Sequence, residues 1–200
     1  MTATLGVLRR ISASRPAPVA GERCEMCAQP VGAGHSHVVQ VEGRVLLCTC
    51  RGCYLLFSDE RAETRYRAVP DRYLRFEGVT VEGPVWEELE IPVGLAFLFR
   101  NSVQGRVVCF YPGPAGATES ELPLDAWDAV VAAHPELATV RPDVEALLIR
   151  RPACYLVPID VCYELVGRLR TVWHGFDGGA GARDALAAFF STVDERSVAA

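Results

Sequence analysis

The sequence contains no lysine, so all 20 of its basic side chains are arginines, and these are spread along the chain. With 25 acidic residues, the formal net charge at neutral pH is −5. Proteins that bind nucleic acids generally concentrate positive charge on one face or along one helix. Because no such concentration is present, the sequence predicts a protein that does not bind nucleic acid.

Long hydrophobic runs are also missing, although half of the residues are hydrophobic. No run approaches the ~20 consecutive apolar residues that a membrane-spanning helix needs. Residues 1–22 contain too short an apolar stretch for a secretory signal peptide and end in a segment rich in proline and alanine, so we predict a flexible N-terminal tail. These features lead us to expect a cytoplasmic protein without a membrane span.

Motifs of nucleotide binding and nucleophilic catalysis are absent as well. The glycine-rich segment 175–181 has no lysine and follows a helical pattern, whereas a phosphate-binding loop follows a strand. Cys109, Cys154 and Cys162 are isolated in apolar segments, which favours core packing over catalysis. The sequence therefore favours a protein that is not an enzyme.

The remaining five of the eight cysteines are concentrated in one short segment, in the patterns CEMC and CTCRGC. Two CxxC pairs, Cys24 with Cys27 and Cys50 with Cys53, are separated by 22 residues that have a β-hairpin pattern. Each pair can supply two thiolates from one tight turn, and two pairs together complete a tetrahedral four-sulfur site. Residues 23–58 are therefore predicted to form a zinc-ribbon or rubredoxin-like module that binds zinc, with a single iron ion as the alternative.

Three further side chains of metal-binding type lie beside these pairs, namely His35, His37 and Cys48. The two histidines are two positions apart, so they would share one face of an extended strand. One interpretation makes all three bystanders, with Cys48 as a small buried hydrophobe and the histidines in surface or supporting positions. The other places them in a second, more open metal site, or lets one of them replace a cysteine in the first. The sequence alone leaves both interpretations open.

Residues 73–195 form the second predicted domain, in which strand patterns come before helix patterns, as in α+β proteins. A strand is expected at 73–81, and a β-hairpin is expected around the loop 101–105. The apolar segment 144–149 fits either a strand or a helix. The strands are predicted to form an antiparallel sheet.

Helices are predicted at 124–133, from an N-cap at Asp160 onwards, and at 183–193, because apolar residues recur there at helical spacing. The charged segment 57–72 is predicted to be a short exposed helix or a loop. The predicted fold class is therefore α+β, with a small zinc-ribbon or rubredoxin-like module followed by an α+β domain with C-terminal helices.

Two segments, 24–57 and 141–190, resemble an actinobacterial family of domains of unknown function. The sequence motifs PDVEALL and PID-CYELVG are specific to that family. Its HxH and CxCxxC patterns match His35, His37 and Cys48 together with the second CxxC pair. Genes of this family are often found beside those of [NiFe] hydrogenases and their maturation proteins. The resemblance implies a protein partner of that kind, and it favours a metal-binding role for the three additional residues.

Three functional hypotheses follow from these observations. The leading one is a non-catalytic metal-binding accessory protein that assists the assembly or function of a metalloenzyme such as a [NiFe] hydrogenase. The second is a rubredoxin-like one-electron carrier with iron in the same four sulfurs. The third is a metalloenzyme with an open site at His35, His37 and Cys48.

Overall fold

The structure, a computed structural model, describes six segments of the chain: 21–59, 64–79, 94–113, 116–120, 125–175 and 178–200. These segments contain two β-sheets, four α-helices and one 3-10 helix. The predicted α+β fold class is confirmed. The predicted N-terminal tail lies outside the described residues except for its last two positions.

The smaller sheet is antiparallel and has the strand order β2-β1-β3. Its strands are β1 (Ser36–Gln40), β2 (Val45–Thr49) and β3 (Tyr66–Ala68), and the short helix α1 (Arg51–Leu55) follows β2. The predicted hairpin between the CxxC pairs is confirmed by β1 and β2. The prediction of a helix or loop at 57–72 is wrong at β3, because backbone pairing with β1 overrides the charged local composition.

The larger sheet has seven strands in the order β10-β4-β9-β8-β5-β6-β7. Neighbouring strands are antiparallel except β10 and β4, which are parallel, so the sheet is mixed rather than purely antiparallel. The segment at 144–149 is a strand, and the predicted hairpin is formed by β5 and β6. The strands are β4 (Leu74–Phe76), β5 (Leu95–Asn101), β6 (Arg106–Gly113), β7 (Gly116–Glu119), β8 (Glu145–Arg150), β9 (Ala153–Pro158) and β10 (Val198–Ala199).

The helices agree broadly with the sequence pattern, while the strand expected at 73–81 is shorter, with only β4 formed among its described residues. The helix predicted from Asp160 begins one residue earlier, and the last helix is longer than predicted at both ends. None of the helices within the described segments is both long enough and apolar enough to cross a bilayer. The helices are α2 (Asp125–Ala133), the 3-10 helix (Pro135–Thr139), α3 (Ile159–Val172) and α4 (Gly179–Arg196).

The larger sheet has an apolar core on each of its faces, because successive strand side chains point to opposite sides. On one face Leu148 belongs to a buried cluster with Leu165 of α3 and Phe190 of α4. On the other face Leu147 belongs to a cluster with Leu137 of the 3-10 helix. The sheet is thus covered by α3 and α4 on one side and by the α2 region on the other.

The smaller sheet shares the core on the α3 side. Val39 of β1 and Val69 after β3 are both 6% exposed and belong to the same buried cluster as Ile159, the first residue of α3. An ion pair between Arg67 and Asp143, with Nη1 and Oδ2 3.0 Å apart, also joins β3 to the loop before β8. The cysteine-rich segment is therefore held against the N-terminal end of α3.

The three cysteines outside the cluster have no exposed surface, as their apolar surroundings predict. Burial raises the pKa of Cys109 and Cys154 to about 12, and it also raises the pKa of Cys162. Because the thiolate is the nucleophilic form of cysteine, these three residues should resist iodoacetamide at about pH 8 in the folded protein and react only in denaturant. Mass spectrometry of the alkylated peptides checks this expectation, and labelling of any of the three before unfolding would contradict it.

Candidate metal centre

The first CxxC pair lies on a tight turn closed by backbone hydrogen bonds. The Cys24 N–H donates to the Gln29 carbonyl oxygen, and the Ala28 N–H donates to the Cys24 carbonyl oxygen, both at 2.8 Å. Ala28 adopts a left-handed backbone conformation with φ of 63°, which reverses the chain direction just after Cys27. This local geometry presents both sulfurs to the second pair.

The second CxxC pair lies where β2 leads into α1. Cys50 is the residue before the helix, and its carbonyl oxygen accepts the first helical hydrogen bond from the Tyr54 N–H at 3.0 Å. Cys53 is in the first turn of α1 and, three positions along, is on the same helix face. The expectation of a second tight turn is therefore corrected, because a strand end and a helix take its place.

The four cysteines of the two pairs come together with a spacing suited to a metal ion. Their sulfurs lie 3.5–3.9 Å apart, with Cys27 Sγ 3.7 Å from Cys50 Sγ. A tetrahedron with metal–sulfur bonds of the zinc–thiolate length has edges of about 3.8 Å. All four cysteines are free thiols, since a disulfide would need a much shorter S–S distance. Zinc and single iron ions both fit this donor set.

The pKa values of Cys24, Cys27 and Cys53 are shifted in opposite directions by their surroundings. Burial acts to raise the pKa of Cys24, but N–H groups of Cys50, Cys27 and Met26 outweigh it and lower this pKa to about 6. Burial and the neighbouring sulfurs raise the pKa of Cys53 to about 12. The Cys24 thiolate thus forms readily, while the raised pKa values of Cys27 and Cys53 favour their protonated forms. A bound dication would stabilise all four cysteines as thiolates.

A second group of potential ligands consists of His35, His37 and Cys48, whose ligand atoms lie within 4.8 Å of one another. The register of the hairpin explains this arrangement, because His37 and Cys48 are directly paired across β1 and β2 and so share a face of the sheet. His35 precedes His37 by two residues, and the two rings have centroids 4.8 Å apart. The structure therefore brings together all three residues that the sequence analysis left as bystanders or ligands.

Each histidine of the second group has a partner on its Nδ1 atom. His37 Nδ1 lies 2.7 Å from Asp160 Oδ2, and His35 Nδ1 lies 2.9 Å from the Gly32 carbonyl oxygen and 3.3 Å from Glu22 Oε2. Asp160 is not the helix cap that the sequence predicts, since it lies in the first turn of α3. Its Oδ1 accepts the Val161 N–H at 2.9 Å, while its Oδ2 faces His37. Sequence analysis missed this contact because the two residues are 123 positions apart.

Glu25, between the first two cysteines, ties the first turn to the end of β2. Its N–H donates to the Cys48 carbonyl oxygen at 2.8 Å, and its Oε2 accepts the Cys48 N–H at 2.6 Å. Burial and the carboxylates of Glu25 and Glu22 raise the pKa of the Cys48 thiol. Both groups of potential ligands are thus anchored at the same end of the hairpin.

The sequence profile of DUF5947, a family of unknown function, matches residues 23–197. The chain belongs to this family. The region shared with DUF5947 contains the four cysteines, the second group of ligands and Asp160. Searches of the curated proteins and of the solved structures return no match.

Proposed function

We propose that the protein is a non-catalytic metal-binding protein in which Cys24, Cys27, Cys50 and Cys53 hold a zinc ion. The observation that carries this proposal is the 3.5–3.9 Å spacing of four sulfurs supplied by two separate parts of the chain. Four protein ligands close the coordination sphere of zinc, which is typical of structural rather than catalytic sites. The zinc ion would therefore stabilise the fold of the module.

The elements around the four cysteines explain what such a zinc ion would do. The first turn, the end of β2 and the start of α1 contribute few buried side chains of their own, and α1 has none that are fully buried. A metal ion would join these three pieces at one point and give the segment the stability that a small apolar core cannot supply. In this proposal the segment is a zinc-ribbon-like module in which Cys50 of the second pair precedes a short helix and Cys53 lies within it.

The proposed physiological role is that of an accessory protein for a metalloenzyme such as a [NiFe] hydrogenase, with a hydrogenase subunit or a maturation protein as the partner. The resemblance to an actinobacterial family encoded near hydrogenase genes supports this role. A closed four-cysteine centre fits a protein that binds a partner better than one that transforms a substrate. Clustered free thiols also favour a reducing compartment, in agreement with the expected cytoplasmic location.

Elemental analysis and visible absorption of anaerobically purified protein test the metal assignment. Zinc is expected, and the protein should then be colourless. A red protein containing iron would instead favour the one-electron carrier, in which the exposed Cys27 would be the sulfur nearest to a redox partner. Protein that holds neither metal, even after addition of zinc under reducing conditions, would contradict the proposal.

The accessory role is tested by deleting the gene in a host that has a [NiFe] hydrogenase and complementing the deletion. Wild-type protein is expected to restore hydrogenase activity, whereas a Cys24→Ser/Cys27→Ser variant is not. A Cys109→Ala variant, which removes a thiol far from the centre, serves as the matched control. Unchanged hydrogenase activity in the deletion strain would rule out this role without affecting the metal assignment.

A further inference from the structure

We propose that His35, His37 and Cys48 form a second metal site, separate from the four-cysteine centre, with one coordination position open to a cleft. The site would bind a late first-row divalent ion such as zinc, nickel or cobalt and leave room for water or a small anion. This inference goes beyond the proposed function, because it concerns different ligands and does not depend on the hydrogenase partner. Three observations support it.

The first observation is the orientation of His37. A carboxylate can only accept a hydrogen bond, so the contact of 2.7 Å with Asp160 places the proton of the neutral imidazole on Nδ1. The lone pair of Nε2 is then available to a metal ion. Histidine ligands of metals commonly donate their other ring N–H to a carboxylate in this manner, which fixes the ring and raises its basicity. Asp160 is itself held by the Val161 N–H.

The second observation is a buried nitrogen without a partner. His35 Nδ1 faces the Gly32 carbonyl oxygen, which can only accept, so here too Nε2 carries the lone pair. The His35 side chain is 11% exposed, and its Nε2 atom is buried and has no hydrogen-bond partner among the described residues. Leaving a buried polar atom unsatisfied is unfavourable, and a metal ion at this position would satisfy it.

The third observation is the donor set that Cys48 completes. Its pairing with His37 across the hairpin puts a sulfur next to the two histidines, and one ligand atom from each of the three residues lies within 4.8 Å of the others. Two imidazoles and one thiolate suit the borderline ions zinc, nickel and cobalt, and they are poor ligands for magnesium or calcium. Three protein ligands leave the fourth tetrahedral position to an exogenous ligand, as in catalytic rather than structural zinc sites.

The cleft beside these residues gives that ligand a route to the metal. It has a volume of about 870 Å³, and its lining includes both histidines and Asp160 as well as Tyr54 and Tyr163. The two histidines line this cleft, whereas Cys48 and the four cysteines of the first centre do not. The open position would therefore lie on the histidine side of the site and face a space large enough for water or a small molecule.

The number of metal ions per chain separates this proposal from the proposed function. Full-length protein reconstituted anaerobically with Co²⁺ is expected to bind two ions, and His35→Ala/His37→Ala is expected to bind one, with the four-sulfur charge-transfer bands retained. His134→Ala, which replaces a histidine outside both groups, is the matched control and should bind two. One ion in both the wild type and the double variant would overturn the second site and leave the four-cysteine centre intact.

Two further measurements test the open coordination position of the second site and the role of Asp160 in positioning His37. Azide is expected to shift the cobalt d–d bands of the wild type and to leave those of the double variant unchanged. Asp160→Asn should weaken Co²⁺ binding at this site about 10- to 100-fold with the first site unaffected, and Asp160→Glu should restore part of the loss. A spectrum insensitive to azide would overturn the open position, and equal Co²⁺ affinity of Asp160→Asn would overturn the role of Asp160.

Discussion

Replacement of Cys24 by serine is expected to remove the metal ion from the four-cysteine centre and to unfold the segment around it. Cys24 is 2% exposed, and backbone N–H groups of three neighbouring residues favour its thiolate form, so serine would remove a buried, readily ionised metal ligand. Binding of structural zinc in small modules contributes on the order of 10 kcal/mol, which is comparable to the stability of a whole domain. Hydrogen exchange should therefore show loss of protection at the two CxxC pairs and in α1.

The larger sheet provides the internal reference for this experiment. Its cores on both faces are built from β5, β8 and β9, so amides of these strands should keep their protection in Cys24→Ser. Cys109→Ala is again the matched control, since it removes a thiol from the core of the larger sheet and leaves all four cysteines of the metal centre in place. If Cys24→Ser retained a full equivalent of metal at this centre and the same protection, the structural role of the centre would be wrong.

Replacement of Arg72 by alanine is expected to destabilise the fold by about 3–5 kcal/mol, because it leaves the carboxylate of Glu145 buried without its partner. Glu145 has no exposed surface, and it accepts from Arg72 Nε at 2.9 Å and from Arg72 Nη2 at 2.7 Å. Nη2 of Arg72 also donates to the Thr139 carbonyl oxygen at 2.8 Å. The arginine thus joins the segment before β4 to the start of β8 and the end of the 3-10 helix.

Urea denaturation followed by circular dichroism measures this loss as a shift of the transition midpoint. Arg72→Lys should give an intermediate loss, because an ammonium group cannot reproduce the two parallel hydrogen bonds of the guanidinium. The double variant Arg72→Met/Glu145→Met should be more stable than Arg72→Ala, since it removes the unpaired charge as well. A loss below about 1 kcal/mol in Arg72→Ala would show that the pair contributes no more than a surface ion pair.

Much of the fold is predictable from local patterns, and the exceptions have non-local causes. The hairpin of β1 and β2 and the helix α2 follow from periodicity and turn composition. The strand β3 does not, because its segment is rich in charge and becomes a strand only through pairing with β1. Likewise, the apolar segment that forms β8 is equally compatible with a helix until β5 and β9 flank it.

Some features of the candidate site also follow from local sequence patterns, whereas others depend on contacts between distant parts of the chain. The spacing of the CxxC pairs is a local signal, and the four cysteines do lie together, although metal binding there stays a prediction. The position of Cys48 beside His37 depends on the strand register, because a shift of one residue would place the Cys48 side chain on the opposite face of the sheet. The contact of Asp160 with His37 depends on how α3 packs against the smaller sheet, for which the sequence offers no local signal.

X-ray absorption at the metal K-edge of the His35→Ala/His37→Ala variant examines the four-cysteine centre alone, because this variant leaves no other proposed site to be occupied. One zinc ion per chain is expected, surrounded by four sulfur atoms at about 2.3 Å, with no nitrogen or oxygen bound to it. Nitrogen or oxygen bound to the zinc ion, or protein that binds no metal at all, would contradict this expectation.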